Sequence, residues 1–207
     1  MAKTVFMIDG WFMRRRIYDL KTFFYCGPEI RKYCLKHLRP EDSLYRIYYY
    51  DTEPLDKKGH NPVTGDMVDF SRTPTAQAQA ELLKSIKRTP NFALRLGKTV
   101  WRNNEWFIRQ EKLKDLLEKK ITVDDLEPND VSPLVEQKVV DMKIGLDIAH
   151  IALRGLVDVM IVISGDVDLV PALKLARREG LQVGLDPLHN PIPPELSEHV
   201  DFISTKI

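Results

Sequence analysis

The sequence is poor in cysteine, has no long apolar run and carries almost no net charge. Its two cysteines, Cys26 and Cys34, fit neither a disulfide framework nor a zinc site, which suggests a reducing cytosol. The apolar runs Val5–Ile8 and Val157–Ser164 are as long as a strand, far below the ~20 residues of a membrane span. We therefore expect a cytoplasmic protein with no membrane partner.

The charges are balanced. Lysine and arginine total 31, aspartate and glutamate total 30, and the formal net charge is +1. This balance excludes a histone-like protein, so any contact with nucleic acid must come from a local basic patch. With 43% hydrophobic and 29% charged residues, the composition is that of a folded globular protein. The 207 residues are predicted to form one domain with an embedded elaboration.

Several enzyme signatures are missing. The sequence has no Gly-x-Ser-x-Gly motif, no Walker lysine loop and no Gly-x-Gly-x-x-Gly motif. These absences argue against a serine hydrolase, a P-loop NTPase and a dinucleotide enzyme. The histidines show no pairing with cysteine or with each other that would indicate zinc.

Apolar and β-branched segments predict a parallel sheet. Four segments have the composition of buried strands: Thr4–Asp9, Tyr45–Tyr50, Val159–Ser164 and Leu181–Leu185. A helix over Leu169–Glu179 separates the last two, with Pro171 in its first turn and Gly180 after its end. Strand, helix and strand in this order form a βαβ unit, so we predict an α/β fold with helices on both faces of a mainly parallel sheet.

The remaining segments complete the expected layout. Helices are predicted over Trp11–Phe24, Pro28–His37, Ala76–Arg88, Leu113–Lys120 and Val139–Leu153. Asp51–Thr73 has the composition of a long polar loop. The pair Asn103-Asn104 predicts a two-residue hairpin that would set Trp101 opposite Trp106. This hairpin would belong to an elaboration near residues 91–120.

Acidic residues follow two of the predicted strands. Ligands of open parallel sheets bind beyond the carboxyl ends of the strands, where Asp9, Asp166 and Asp168 lie in the sequence. If the two strands are neighbours, three carboxylates converge, and two such charges 4 Å apart repel by about 4 kcal/mol at an effective dielectric near 20. Protonation or a divalent cation relieves the repulsion. Oxygen ligands favour Mg²⁺ or Mn²⁺, and the expected chemistry is metal-assisted attack of water on phosphorus.

Each acidic residue also has a structural interpretation. Asp168 precedes a helix and can serve as its N-cap, and Asp9 can be a turn residue before Gly10. Asp141 and Asp147 lie six residues apart, about 120° from a common helix face, so they cannot both point into one site. We favour Asp141 as a metal ligand and keep Asp147 as a second candidate, which would otherwise be buried against a partner.

Ordered segments along nearly the whole chain resemble the NYN branch of the PIN-like nucleases. They are Val5–Gly10, Arg46–Asp51, Phe92–Gly97, Gln137–Asp141 with Asp147 downstream, and Ser164–Pro171. The resemblance implies a Rossmann-like, three-layer α/β/α fold, an acidic pocket for Mg²⁺ or Mn²⁺ and ribonuclease activity. The acidic residues of the family fall on Asp9, Asp141, Asp166 and Asp168, and Asp147 matches a recurrent aspartate. Two positions depart from the family pattern: Phe12 replaces an asparagine and Val139 replaces a glycine.

Basic and aromatic residues are candidates for substrate binding. Arg14, Arg15 and Arg16 follow Asp9 on a predicted helix, where at least one should face the pocket or else be a solvated charge. Lys138 and Ser164 flank the acidic motifs and are further candidates for contacts with a phosphate. Basic and aromatic residues also lie near the predicted hairpin: Arg95, Lys98, Trp101, Arg102, Trp106 and Arg109. They could form a stacking platform for unpaired bases, or the tryptophans could simply pack against each other.

The sequence as a whole favours a metal-dependent endoribonuclease that acts on unpaired RNA. The alternative is a catalytically inactive module on the same fold that binds RNA or protein, which the change to Phe12 supports. An aspartate-nucleophile phosphatase would need a carboxylate at Trp11, and a Toprim-type nuclease would need a glutamate after an early strand. The oligomeric state stays open, with a homo-oligomer among the options.

Overall fold

The computed structural model describes residues 1–21 and 25–207, so the end of the helix predicted over Trp11–Phe24 lies outside the described residues. The chain forms two compact units. The first contains Met1–Thr52, Glu81–Gly97 and Val139–Ile207, and the second contains Glu53–Ala80 and Lys98–Lys138.

The elements largely follow the predicted order. The helices are α1 (Gly10–Leu20), α2 (Gly27–Leu35), α3 (Pro74–Arg88), α4 (Gln110–Leu117), α5 (Val140–Leu153), α6 (Val170–Arg178) and α7 (Pro194–Ser197). The strands are β1 (Lys3–Asp9), β2 (Ser43–Thr52), β3 (Lys58–His60), β4 (Met67–Asp69), β5 (Phe92–Ile108), β6 (Val131–Lys138), β7 (Val159–Ile163), β8 (Gln182–Asp186) and β9 (Phe202–Ile203). Within the described ranges, no helix has the length and apolar character needed to cross a bilayer.

The first unit is built on a parallel sheet in the order β5-β2-β1-β7-β8-β9, to which β5 contributes Phe92–Gly97. Each neighbouring pair in this order runs parallel. The predicted βαβ unit is present as β7, α6 and β8, with a proline in the first turn of α6. The predicted mainly parallel sheet is therefore confirmed.

Side chains of β1 show why the sheet is covered on both faces. Val5 and Met7 pack into one core with residues of α5 and α6, and Phe6 and Ile8 pack into another with residues of α1, α2 and α3. All four side chains are fully buried. A strand buried on both faces has an unbroken apolar sequence, so the apolar run of β1 predicted this three-layer arrangement correctly.

The second unit corrects the expectation that Asp51–Thr73 is a long polar loop. Lys58–His60 and Met67–Asp69 pair there as the antiparallel ribbon of β3 and β4. The ribbon is anchored by aromatic packing, because a Cβ at Gly59 would lie 2.2 Å from the Trp101 ring and Phe70 contacts that ring with centroids 5.1 Å apart. The polar composition hid this aromatic anchor, since Trp101 is distant in sequence.

The hairpin predicted at Asn103-Asn104 is wrong. Both asparagines have the left-handed φ values that such a turn needs, 47° and 55°, but the chain continues through them as one strand. Trp101 pairs with Val135 and Trp106 with Pro133 on the same antiparallel partner, β6, so the intervening residues form a bulge. Pairing with β6 on both sides of the bulge takes the place of pairing between two hairpin arms. The expected contact of the two tryptophans still forms, edge to face at 5.8 Å.

Candidate active site

Three neighbouring strands of the first unit end in acidic segments. β1 lies between β2 and β7, and Ile8 pairs with Ile163, so the strands that precede Asp9 and Asp166 are neighbours, which is the condition for their carboxylates to converge. β2 ends with the pair Asp51-Thr52. The carboxyl ends of parallel strands meet at one edge of the sheet, which is where ligands of such sheets bind.

Asp9 is the N-cap of α1 and lies at the centre of this edge. Its Oδ1 accepts a hydrogen bond from the backbone N–H of Phe12 at 3.0 Å. Burial raises the pKa of Asp9 to about 6, against the opposing effect of that hydrogen bond. The negative charges of Asp141, Asp166 and Asp51 raise the pKa further, which shows that the four carboxyl groups share one region.

The turn after β7 orders its own acidic residues. The backbone N–H of Asp166 donates to the buried Ser164 hydroxyl at 3.2 Å, and the N–H of Asp168 donates to Asp166 Oδ1 at 2.9 Å. Asp166 is therefore the cap of the short 3-10 turn before α6, the role that the sequence gave more readily to Asp168. These hydrogen bonds fix the direction of the Asp166 carboxylate.

The two acidic residues on α5, Asp141 and Asp147, have different surroundings. Asp141 is in the first turn, and burial together with the charges of Asp166 and Asp168 raises its pKa. Asp147 accepts hydrogen bonds from the Tyr50 hydroxyl at 2.9 Å and from Arg95 Nε at 3.0 Å. The structure thus pairs Asp147 with Tyr50 and Arg95, as its alternative interpretation expects, and its role as a metal ligand stays a prediction.

The sequence reasoning missed a buried ion pair beside Asp9. Asp51 is fully buried and receives the Arg14 guanidinium at 2.5 Å and the backbone N–H of Thr52 at 2.8 Å. Burial acts to lower the pKa of Arg14, but the Asp51 carboxylate together with Tyr49 and Tyr25 outweighs it, and the pKa is raised. The rule that identified Asp9 applied equally to Asp51, because Asp51 directly follows the predicted strand Tyr45–Tyr50.

The other basic candidates are mostly occupied. Arg15 is exposed and lies over the ring of Trp11, 5.4 Å from its centroid. Arg16 donates to the carbonyl oxygen of Leu188 at 3.2 Å. In the second unit, Lys138 forms an ion pair with Glu136. The structure thus ties Arg16 and Lys138 to other protein groups, and the substrate roles of Arg14, Arg15, Lys138 and Ser164 stay predictions.

The proposed stacking platform is largely a packed cluster. Trp101 is 4% exposed, and its ring packs between Phe70 and Trp106, so it cannot offer a face to a base. Arg102 is paired with Glu136, and Arg109 donates to the Ser132 hydroxyl. The packing interpretation therefore holds for Trp101.

The carboxylate oxygens at this edge are the kind of ligand that a hard divalent cation prefers. The number of carboxylates that can bind one ion directly is limited. Asp9, Asp141 and Asp166 offer oxygen atoms, and the neighbouring negative charges raise the pKa of Asp9 and of Asp141, as crowding of anions does. Among residues 1–21 and 25–207, however, no group of three or more histidine, cysteine, aspartate or glutamate side chains is arranged to hold an ion. Mg²⁺ is commonly bound by one or two carboxylates together with water and substrate phosphate, which this arrangement allows.

Comparison with known proteins gives the family. Residues 63–202 match the model of the NYN domain, a region that contains Asp141, Asp166 and Asp168 and begins after Asp9. A crystal structure of a protein of unknown function from Vibrio parahaemolyticus aligns over 98% of this chain and 91% of that chain, with 14% identity and a TM-score of 0.49. No curated protein matches the chain. Because the family model covers most of its length, the chain belongs to the NYN domain family.

Proposed function

We propose that this NYN domain is a metal-dependent endoribonuclease whose active site is the acidic edge around Asp9. The family is in general ribonuclease-like, and its nucleases typically depend on a divalent metal. For this chain the proposal names Asp9, Asp141, Asp166 and Asp168 as the acidic residues of the site, with Mg²⁺ or Mn²⁺ as the ion.

One observation carries the proposal: Asp9 and Asp166 follow two adjacent parallel strands, β1 and β7, and the charges of Asp166 and of Asp141 at the start of α5 raise the pKa of Asp9. Asp9 is affected by both Asp141 and Asp166, although the three come from distant parts of the sequence. Anions crowded in this way destabilise the fold unless a cation or a proton neutralises them, and perturbed carboxyl groups at the ligand edge of a sheet are typical of functional sites.

The residues of the chain would prepare the site in two ways. The N–H groups of Phe12 and Asp168 hold one oxygen each of Asp9 and Asp166, which fixes both carboxylates before substrate binds. Asp141 adds a third negative charge from α5. A bound divalent ion would supply Lewis acidity at the phosphorus and neutralise charge on the scissile phosphate.

The substrate we propose is unpaired RNA. A compact acidic pocket admits a splayed strand more easily than a duplex, and the net charge of +1 requires that affinity come from local cations. We also propose that the protein acts in the cytoplasm, which is supported by its free thiols at Cys26 and Cys34.

The test compares cleavage of labelled single-stranded RNA by the wild type and by Asp166→Asn, with Mn²⁺ and with chelator. Asparagine keeps the capping oxygen at position 166 and removes the charge, so the fold should survive. The matched control is Asp19→Asn, an exposed carboxylate on α1. We expect the wild type to cleave RNA with Mn²⁺ and to stop cleaving in chelator. Asp166→Asn should not cleave, and Asp19→Asn should cleave like the wild type.

A second function is favoured by Phe12, which occupies the position where the resembling family has asparagine. Its partly buried apolar ring lies against Gly165, next to Asp166, and only its backbone N–H binds Asp9. On this interpretation the chain is a module that binds RNA or protein without cutting. RNA binding that persists in Asp166→Asn, with no cleavage in Mg²⁺ or Mn²⁺, would favour the module over the enzyme.

A further inference from the structure

Helix α6 connects the acidic edge with a basic recess. The helix begins directly after the Asp166–Asp168 turn and ends at Arg178. Around its last turn and the first residue of β8, the surface forms a recess of about 760 Å³. Both features belong to the first unit.

Basic residues outnumber acidic ones in the recess. Among the described residues that line it, Lys174, Arg177 and Arg178 are cationic, and one residue, Asp201, is acidic. Asp201 is already used internally, because it accepts Arg177 Nε at 2.9 Å and the backbone N–H of Val183 at 2.7 Å. The recess therefore carries an excess of positive charge.

Two of these cations have no fixed partner. Within the described ranges, neither Lys174 nor Arg178 takes part in an ion pair, and both are exposed. They lie four residues apart, so they project from the same face of α6. Arg177 is positioned beside them by Asp201 and by the carbonyl oxygen of Glu198. The arrangement combines one fixed guanidinium with two cations that can close on an anion.

The distance between the recess and the acidic edge suits a strand of nucleic acid. α6 has nine residues, and a rise of 1.5 Å per residue makes it about 13 Å long. A few nucleotides of unpaired RNA can cover such a length. The acidic edge repels phosphates, so a substrate needs an attractive site at some distance from it.

We propose that the recess of Lys174, Arg177 and Arg178 binds a backbone phosphate of the RNA a few nucleotides from the scissile bond. This inference rests on the proposed function and adds to it a substrate-anchoring site. Binding through phosphate carries no base preference, so the anchor would give affinity and a minimum substrate length.

The test measures the affinity of the metal-free Asp166→Asn protein for fluorescent single-stranded RNA, a trinucleotide and a dodecanucleotide, at several salt concentrations. The variant is Lys174→Gln with Arg178→Gln. The control is Lys87→Gln with Arg88→Gln, which removes the same charge from exposed residues at the end of α3.

We expect the recess variant to bind the dodecanucleotide about tenfold more weakly. The slope of log affinity against log salt concentration should become shallower by about 1.4, because two phosphate contacts are lost. The ratio of the affinity for the dodecanucleotide to the affinity for the trinucleotide should decrease in the recess variant. The control variant should have the affinities of the parent protein. Equal losses in the recess and control variants would overturn the anchor. Binding of inorganic phosphate that depends on the recess, with unchanged RNA affinity, would overturn it as well.

Failure of the anchor and failure of the proposed function can be told apart. If the wild type cleaves RNA and the recess variant binds like the control, the enzyme stands and the anchor is wrong. If the recess variant loses RNA affinity while the wild type cleaves nothing in any metal, the anchor stands and the enzyme is wrong.

Discussion

The ring of Phe12 lies against the backbone of Gly165. A Cβ atom at position 165 would lie 2.9 Å from Cε2 of Phe12, closer than such contacts ordinarily occur. Phe12 belongs to the first turn of α1, whose N-cap is Asp9, and Gly165 lies between Ser164 and Asp166. This contact therefore sets the separation of the two segments that carry the central carboxylates.

Gly165→Ala should disturb the site through this contact. The added methyl group must displace Phe12 or the turn, so we expect a loss of about 1 to 3 kcal/mol in the free energy of unfolding and weaker RNA cleavage. Urea denaturation and a cleavage assay measure the two effects. Gly145→Ala on α5 is the control, because its new Cβ would have its nearest neighbour at 4.0 Å. Phe12→Leu should restore part of the loss in Gly165→Ala, and equal losses with and without it would refute the contact.

Asp9→Asn should stabilise the protein, and the gain should depend on pH. The pKa of Asp9 is raised to about 6 by burial and neighbouring charges, above its ordinary value of 3.8. The folded state therefore binds this proton more tightly than the unfolded state, and stability falls as pH rises from about 4 to about 6. At about 1.4 kcal/mol per pKa unit, the charged group costs about 2 to 3 kcal/mol at neutral pH. Asparagine keeps the cap and removes this cost.

The measurement is urea denaturation of wild type and Asp9→Asn in chelator between pH 4 and pH 8. The variant should gain about 2 kcal/mol at pH 7 and little at pH 4, and it should lose RNA cleavage. Asp19→Asn, which removes an exposed charge from the same helix, should leave stability nearly unchanged. A gain that is the same at both ends of the range, or a loss at pH 7, would contradict the crowding of carboxyl groups.

Arg14→Gln should be costly because it leaves a buried charge without its cation. Asp51 is fully buried and lies near enough to Asp9 to raise its pKa. Removing one partner of such a pair typically costs about 3 kcal/mol. Arg15→Gln, the neighbouring exposed arginine, is the control and should change the free energy of unfolding by less than about 0.5 kcal/mol.

A double-mutant cycle completes this test. Asp51→Asn removes the buried charge, so adding it to Arg14→Gln should recover most of the lost stability. Additive losses in the double variant would show that the two side chains act separately.

The sequence predicted the sheet and most of the acidic edge for a clear physical reason. Parallel strands buried on both faces have unbroken apolar sequences, and their carboxyl ends must meet, so Asp9 and Asp166 could be placed together from their positions alone. Asp51 met the same condition, but its buried pair with Arg14 could not be predicted, because the two residues are 37 positions apart in sequence.

The errors arose where a distant segment decided the local structure. Asn103 and Asn104 do adopt left-handed backbone, but β6 supplies the pairing that a hairpin arm would have supplied. Trp101 similarly converts the polar segment around Gly59 into an ordered ribbon. Neither partner could be identified from the short-range pattern.

Val139, the residue before α5, departs from the family pattern, and its backbone conformation shows why this matters. Val139 has a φ of 73° and a ψ of 0°, a left-handed conformation that is strained for a β-branched residue. The resembling family has glycine there, which adopts this conformation without strain. The strain lies two residues before Asp141, so the sequence keeps a costly side chain next to an acidic residue of the proposed site.

Val139→Gly should therefore raise stability. The left-handed conformation costs about 1 to 2 kcal/mol for residues other than glycine, and the entropy of glycine in the unfolded chain offsets about half of the gain. We expect an increase of about 1 kcal/mol in the free energy of unfolding, measured with urea. Leu146→Gly, which also replaces an exposed apolar residue on the α5 segment, should instead lower it by about 1 kcal/mol because glycine is unfavourable inside a helix. If both glycine variants lose stability equally, the strain at Val139 does not exist, and the turn before Asp141 is held by other contacts.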